Sequence, residues 1–167
     1  MNKQTTQAIS EGTSAYGLRV AIIVSRFNEP VTSRLLQGAE ECLQKYGGSK
    51  NNCPVYFCPG AFELPQVANA LASRKSLDAI ICLGAVIRGE TPHFEYVSSE
   101  AARGIQDVAL KHAIPVVFGV LTTNDEAQAL ERAGGKLGNK GWDAALAAIE
   151  MASLFKKLKR KAKRPSG

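Results

Sequence analysis

Four short segments concentrate the residues able to do chemistry: Ser25-Arg26-Phe27-Asn28, the run PGAFELP at 59–65, the run GAVIRGETPH at 84–93, and Thr122-Thr123-Asn124-Asp125. Arg132 and Lys140 follow further along. His93 is one of only two histidines, and an imidazole is the side chain suited to moving protons near neutral pH. Just before it, Gly89-Glu90-Thr91 precedes a stretch of helical period. Free backbone N–H groups at a helix start attract anions, and Arg132 could close such a site with a two-pronged contact. The plainer alternative makes Thr91 an N-cap and Arg132 a surface charge. For His93 alone, structural and functional roles weigh equally; beside an anion site and an aromatic loop, the functional role gains. Phe27 stands between Arg26 and Asn28, either closing the core or offering a stacking face to a planar heterocycle. Gly60, Ala61 and Phe62 would present backbone N–H groups, and with the Glu63 carboxylate they suit a ligand rich in hydroxyl or ureido groups. The competing role for Glu63 is a charge that favours a helix N-terminus.

No GxxxxGK[ST] or GxGxxG motif occurs, which argues against nucleoside triphosphates and dinucleotides. His112, at the far end of the same helical stretch, sits where the dipole favours a cation. Cys42, Cys53, Cys58 and Cys82 lack the CxxC or CxxH spacing of a zinc site. They read as reduced structural thiols, and no metal is expected.

The elements that must position these segments alternate regularly. Apolar runs at 18–24, 55–57, 79–83 and 116–121 read as strands; their continuous rather than alternating character fits a parallel sheet covered on both faces. Helical stripes run from Leu35 to Tyr46, from Phe94 to Val108, from Ala127 to Ala133 and from near Asn139 into the C-terminus. Another helix should follow Phe62, with Pro65 confined to its first turn. This alternation predicts an α/β fold, a three-layer αβα sandwich on a parallel sheet of four strands. Ligands of such sheets bind beyond the carboxyl ends of the strands, where all four segments fall.

The 167 residues amount to one domain's worth, read as an N-terminal arm at 1–17, a domain at 18–155 and a basic tail at 156–167. The net charge of +6 belongs to that tail. Seven of its residues between Lys156 and Arg164 are basic, and without them fourteen basic residues face fifteen acidic ones. The default reading is a solvated helix end, so a nucleic-acid partner is not expected. The longest apolar run, nine residues from Ala79 to Ile87, is far below the ~20 needed to span a bilayer. With no secretory leader in evidence at the start, a soluble cytoplasmic protein without membrane partners is expected.

The series SRFN, PGAFELP, GAVIRGETPHFEYV, FGVLTT and ERAGGKLGNKG, followed by AAIEMA, resembles the lumazine synthase family in order and spacing, from about Leu18 to Leu154. The resemblance implies a flavodoxin-like fold and an enzyme of riboflavin biosynthesis, a transferase. It implies condensation of 5-amino-6-(D-ribitylamino)uracil with 3,4-dihydroxy-2-butanone 4-phosphate to 6,7-dimethyl-8-ribityllumazine, with no cofactor and no metal. By the same resemblance, Phe27 stacks on the pyrimidine, and Ala61, Phe62 and Glu63 hold the ribityl chain with main-chain groups of Ala85, Val86 and Ile87. Gly89, Glu90, Thr91 and Arg132 bind phosphate, and His93 is the general acid/base. Phe118, Arg132 and Lys140 come from a neighbouring subunit, Lys140 lying near the phosphate end. The resemblance further implies a homo-oligomeric pentamer, with residues 1–17 adding a strand to a neighbour's sheet. The short GGKLGNKG turn resembles members that pack twelve pentamers into an icosahedral shell, for which riboflavin synthase is a candidate partner. Cys58, where an aliphatic residue is more usual, and the tail beyond Leu154 depart from the family pattern. Two rivals share the fold class: a flavodoxin-like carrier of a flavin nucleotide, for which SRFN is a poor phosphate cradle, and a non-catalytic flavin-binding shell.

Overall fold

The computed structural model describes residues 13–162, with side chains described through Arg160. Four strands, β1 (Val20–Ser25), β2 (Val55–Cys58), β3 (Ala79–Ile87) and β4 (Val116–Thr123), form one parallel sheet in the order β2-β1-β3-β4. Helices α1 (Glu29–Lys45), α2 (Leu64–Ala72), α3 (His93–His112), α4 (Glu126–Arg132) and α5 (Lys140–Ala162) connect and cover it. Alternate residues of the inner strands feed two separate cores. Val20, Ile22 and Val24 of β1 with Ile81 and Leu83 of β3 pack against α1 and α5. Ala21 and Ile23 with Ile80 and Cys82 pack against α2 and α3. Burial on both faces explains why these strands read as unbroken apolar runs rather than alternating ones. The result is the predicted three-layer sandwich.

Boundaries differ from expectation at the carboxyl ends of β3 and β4. β3 continues four residues past Leu83 because its pairing with β4 continues, Ala85 to Leu121 and Ile87 to Thr123. Thus Gly84, Ala85, Val86 and Ile87 are strand rather than loop, and so are Thr122 and Thr123. Helix α1 begins at Glu29, six residues before the stripe at Leu35, with Pro30 in its first turn, where a missing N–H costs nothing. Pro65 occupies the same kind of position in α2. Between α4 and α5 lies an antiparallel hairpin that periodicity did not suggest, β5 (Ala133–Gly135) with β6 (Gly138–Asn139). On either side of its Lys136-Leu137 turn, Gly134 and Gly138 take φ 105° and 80°, values that favour glycine.

The chain is packed from Ala15 onward: Ala15 is buried and its N–H donates to the Tyr46 carbonyl at 2.8 Å. Residues 1–12, and with them most of the expected intersubunit strand, lie outside the described residues, as do 163–167 of the basic tail. Helix α5 carries the first basic residues outward: Lys157, Lys159 and Arg160 are exposed, while Lys156 pairs with Asp78 at 3.4 Å. Among the described residues no helix is long and apolar enough to cross a membrane.

Candidate active site

A cleft of about 670 Å3 opens at the carboxyl edge of the sheet. Its walls are Phe27, the 59–63 turn, Ala85, Val86 and Ile87 at the end of β3, Gly89 and Thr91 beyond it, and His93, Phe94, Tyr96 and Val97 on the first turns of α3. The three segments after β1, β2 and β3 therefore meet, as expected for an open parallel sheet. The fourth, 122–125, contributes nothing to this lining, and its Thr122 lines a different cleft.

Phe27 is 70% exposed, so it does not close the core. Its position is set by backbone: Arg26 N–H donates to the Cys58 carbonyl at 2.9 Å and Phe27 N–H to the Pro59 carbonyl at 3.0 Å, extending the β1–β2 ladder past both strands. Asn28 then turns the chain, at φ 61° and ψ 44°, and its Nδ2 donates to the Ala85 carbonyl at 2.9 Å. Asparagine tolerates this left-handed conformation better than most residues. In the sequence Asn28 is marked by its residue type alone, asparagine being one of the few residues that tolerate this backbone.

The second wall is a single 3-10 turn, Ala61–Glu63, leading into α2. Ala61 is buried, Phe62 half-exposed, and the Glu63 carboxylate folds back over Gly60, where an added Cβ would stand 3.1 Å from Oε2. Behind it the Cys58 thiol donates to the Gly60 carbonyl at 3.4 Å. Burial, reinforced by the Glu63 charge, pushes that thiol up to about 11. Cys42 is pushed up to about 12 by burial, and Cys53 and Cys82 are also raised. All four thiols are free, and none is activated as a nucleophile.

Gly89 and Thr91 line the cleft between β3 and α3, while exposed Glu90 is not part of the lining. Thr91 is not the N-cap of α3. Pro92 holds that position and no side chain caps the helix. Gly89 lacks a positive φ, and a Cβ there would meet nothing within 4 Å. Neither backbone strain nor packing within the chain calls for glycine at this point. Exposed His93 opens α3, with Tyr96 three residues on and therefore on the same helical face. Tyr96 is 69% exposed. The sequence reading missed it, although its spacing from His93 was a usable sign. Phe94 and Val97 were read only as core stripe, yet each also faces the cleft.

Phe118, Arg132 and Lys140 line a different cleft of about 400 Å3, between β4 and the helices α4 and α5. Arg132 thus does not close the Gly89–Thr91 turn of its own chain, contrary to the reading drawn from residue types alone. Its Nη1 donates to the Gln128 carbonyl at 3.0 Å, and Lys140 pairs with Asp143, also in the lining, at 2.8 Å. Asn139 positions this lysine. Its Oδ1 accepts from the Gly141 and Trp142 N–H groups at the start of α5, and its Nδ2 donates to the Arg34 carbonyl on α1. A Cβ on Gly141 would run into the Leu35 carbonyl, so glycine permits this close approach of α5 to α1. Among the described residues no group of three or more His, Cys, Asp or Glu residues is placed to hold a metal.

A parallel sheet that offers its carboxyl edge to a ligand in this way places the molecule in the flavodoxin-like class of α/β proteins. A family model described as 6,7-dimethyl-8-ribityllumazine synthase matches residues 17–156. Proteins named 6,7-dimethyl-8-ribityllumazine synthase from two strains of Clostridium kluyveri are 53% identical over 145 residues, 87% of this chain and 94% of theirs. The chain belongs to the 6,7-dimethyl-8-ribityllumazine synthase family.

Proposed function

We propose that the chain catalyses condensation of 5-amino-6-(D-ribitylamino)uracil with 3,4-dihydroxy-2-butanone 4-phosphate, giving 6,7-dimethyl-8-ribityllumazine, phosphate and two molecules of water. The observation that carries this reading is the first cleft, which gathers a stacking face, a polar turn, a free helix N-terminus and a histidine in one volume. Phe27 stacks on the pyrimidine. Ala61, Phe62 and Glu63 hold the ribityl chain with main-chain groups of Ala85, Val86 and Ile87. The Gly89-Glu90-Thr91 turn takes the phosphate.

The substrate amine attacks the ketone, an imine forms with loss of water, phosphate is eliminated, and ring closure releases the second water. Each step is a proton transfer or a positioning problem. His93 at the cleft rim moves the protons, and holding two substrates together supplies much of the rest.

The second cleft completes a neighbour's site, adding Phe118, Arg132 and Lys140 to the substrates bound in the first cleft of the adjoining subunit. Two observations support this division: the residues fall into two clefts of one chain, and the cations of the second are held by Gln128 and Asp143. The assembly is a pentamer, and the short turn at 134–141 favours twelve pentamers in a shell, with riboflavin synthase as a candidate guest. The working compartment is the cytoplasm.

The direct experiment mixes both substrates with purified protein and follows lumazine fluorescence. Formation well above background is expected, and His93→Ala is expected to slow it by about 10–10³-fold without abolishing it, within the range that acid/base groups supply. Background-rate formation from folded, assembled protein would refute the reading.

A further inference from the structure

Residues 88–92 join β3 to α3 and carry the phosphate turn proposed above. Arg88, Gly89, Glu90, Thr91 and Pro92 are all exposed, and exposed connections without apolar anchors are the parts of a fold that move most. Arg88 stands at one end of this connection. Its N–H donates to the Thr123 carbonyl at 2.8 Å, prolonging the β3–β4 ladder. Its guanidinium carbon lies 4.6 Å from the Phe94 ring centroid, and Nη1 lies 3.7 Å from Glu95 Oε1. Nε donates to Asn124 Oδ1 at 3.3 Å. Phe94 and Glu95 belong to the first turn of α3, at the other end of the connection, and Asn124 follows β4. One planar cation therefore joins three elements around the neck of the turn. An exposed ion pair alone contributes little; here stacking and a hydrogen bond act on the same group. Nothing in the mechanism above uses Arg88.

We infer that Arg88 is a positioning residue: it clamps both ends of the 88–92 connection, so that the Gly89–Thr91 turn is already shaped for the phosphate of the four-carbon substrate. The inference rests on the reading of that turn as a phosphate site. A turn ordered before binding loses less entropy when the ligand arrives. A loosened one is competent for only a fraction of the time, and apparent affinity falls by that fraction. Arginine suits the task because its plane stacks while Nε and Nη1 reach different partners; lysine offers a point charge without the plane.

Steady-state kinetics of full-length Arg88→Met and Arg88→Lys test the clamp, with each substrate varied in turn and inorganic phosphate as inhibitor. In Arg88→Met, KM for the butanone phosphate and the inhibition constant of phosphate should rise together by about tenfold, equivalent to about 1.4 kcal/mol. KM for the pyrimidine and kcat should stay within about twofold, the pattern of a lost binding interaction at one substrate only. Lysine should recover only a minor part. Equal rises in both KM values, or full rescue by lysine, would overturn the clamp. Gly89→Ala, measured alongside, separates two kinds of failure. If it weakens phosphate binding and Arg88→Met does not, the turn binds phosphate without help from Arg88. If neither variant weakens it, the phosphate reading falls with the clamp.

Discussion

The two clefts of this chain are built on opposite plans. The first is shaped by backbone: ladder extensions at Arg26 and Phe27, the left-handed Asn28, the 3-10 turn at Ala61–Glu63 and the last residues of β3 set its walls. Few of its side chains carry charge, and the Phe27, Phe62 and Tyr96 rings stand exposed. The second cleft carries Arg132, Lys140 and Asp143 on helices, and both cations already have partners in their own chain. On the reading proposed above, one plan recognises a planar, hydroxyl-rich molecule by shape; the other presents charge whose position is held in advance. Preorganised groups cost less to engage; in the assembly proposed above, each plan is completed by a partner surface.

Opposing substitutions should make the difference visible. Phe27→Ala removes the exposed ring on which the pyrimidine is proposed to stack. It should raise KM for the pyrimidine by about 10–100-fold, leaving inhibition by inorganic phosphate unchanged. Arg132→Ala should do the reverse, raising KM for the phosphate substrate by about tenfold through loss of a charge-assisted contact. Equal damage to both substrates from either variant would break the comparison.

Gly89→Ala should have a smaller and more selective effect. With no neighbour within 4 Å of the added Cβ and no positive φ, the variant should melt within a few degrees of the parent. Its KM for the phosphate substrate should rise by about 3–10-fold, as expected where only an incoming ligand crowds the new methyl group. A large loss of stability would point instead to a constraint within the fold.

The smallest effect distinguishes the clefts by pH. Cys58 supports the first cleft, and no cysteine lines the second. Its folded-state value lies near 11 against an ordinary 9.0. The stability it contributes is therefore intact below about pH 9 and is lost as the pH climbs toward 11. Thermal melting between pH 8 and 10.5 should show a decline that Cys58→Val reduces; an unchanged slope would remove Cys58 as its source.

Much of this architecture was legible in residue order. Inner strands buried on both faces announce themselves as apolar runs, and helices with a buried stripe do so by period, so the layers followed directly. The ends of β3 and β4 were less legible because Gly84 interrupts one apolar run and because Thr122 and Thr123, although β-branched, lead into the polar Asn124-Asp125; pairing with a neighbour defines both ends. The β5–β6 hairpin depends on positive φ at two glycines rather than on any apolar pattern. At the site, Phe27 and the Ala61–Glu63 turn stood out as residues out of place in loops, and His93 as one of two histidines, set just after Gly89-Glu90-Thr91. Asn28 and Tyr96 did not, because one acts through its backbone conformation and the other looks like an ordinary surface residue. Distance along the chain also concealed that Arg132 leaves the Gly89–Thr91 turn for another cleft.

In the assembly proposed above, each working site joins the first cleft of one subunit to the second cleft of its neighbour. Co-assembly of His93→Ala and Arg132→Ala chains in equal amounts tests it most directly, since each variant spoils a different cleft. Random mixing around a ring places an intact first cleft beside an intact second cleft at about one quarter of the junctions. With the phosphate substrate held well below the parental KM, where a tenfold rise in KM is a tenfold loss of rate, lumazine formation by the mixture should therefore recover to about a quarter of the parental rate, above the level of either variant alone. A mixture no more active than the average of its two parts, although shown to contain both chains, would contradict the shared site.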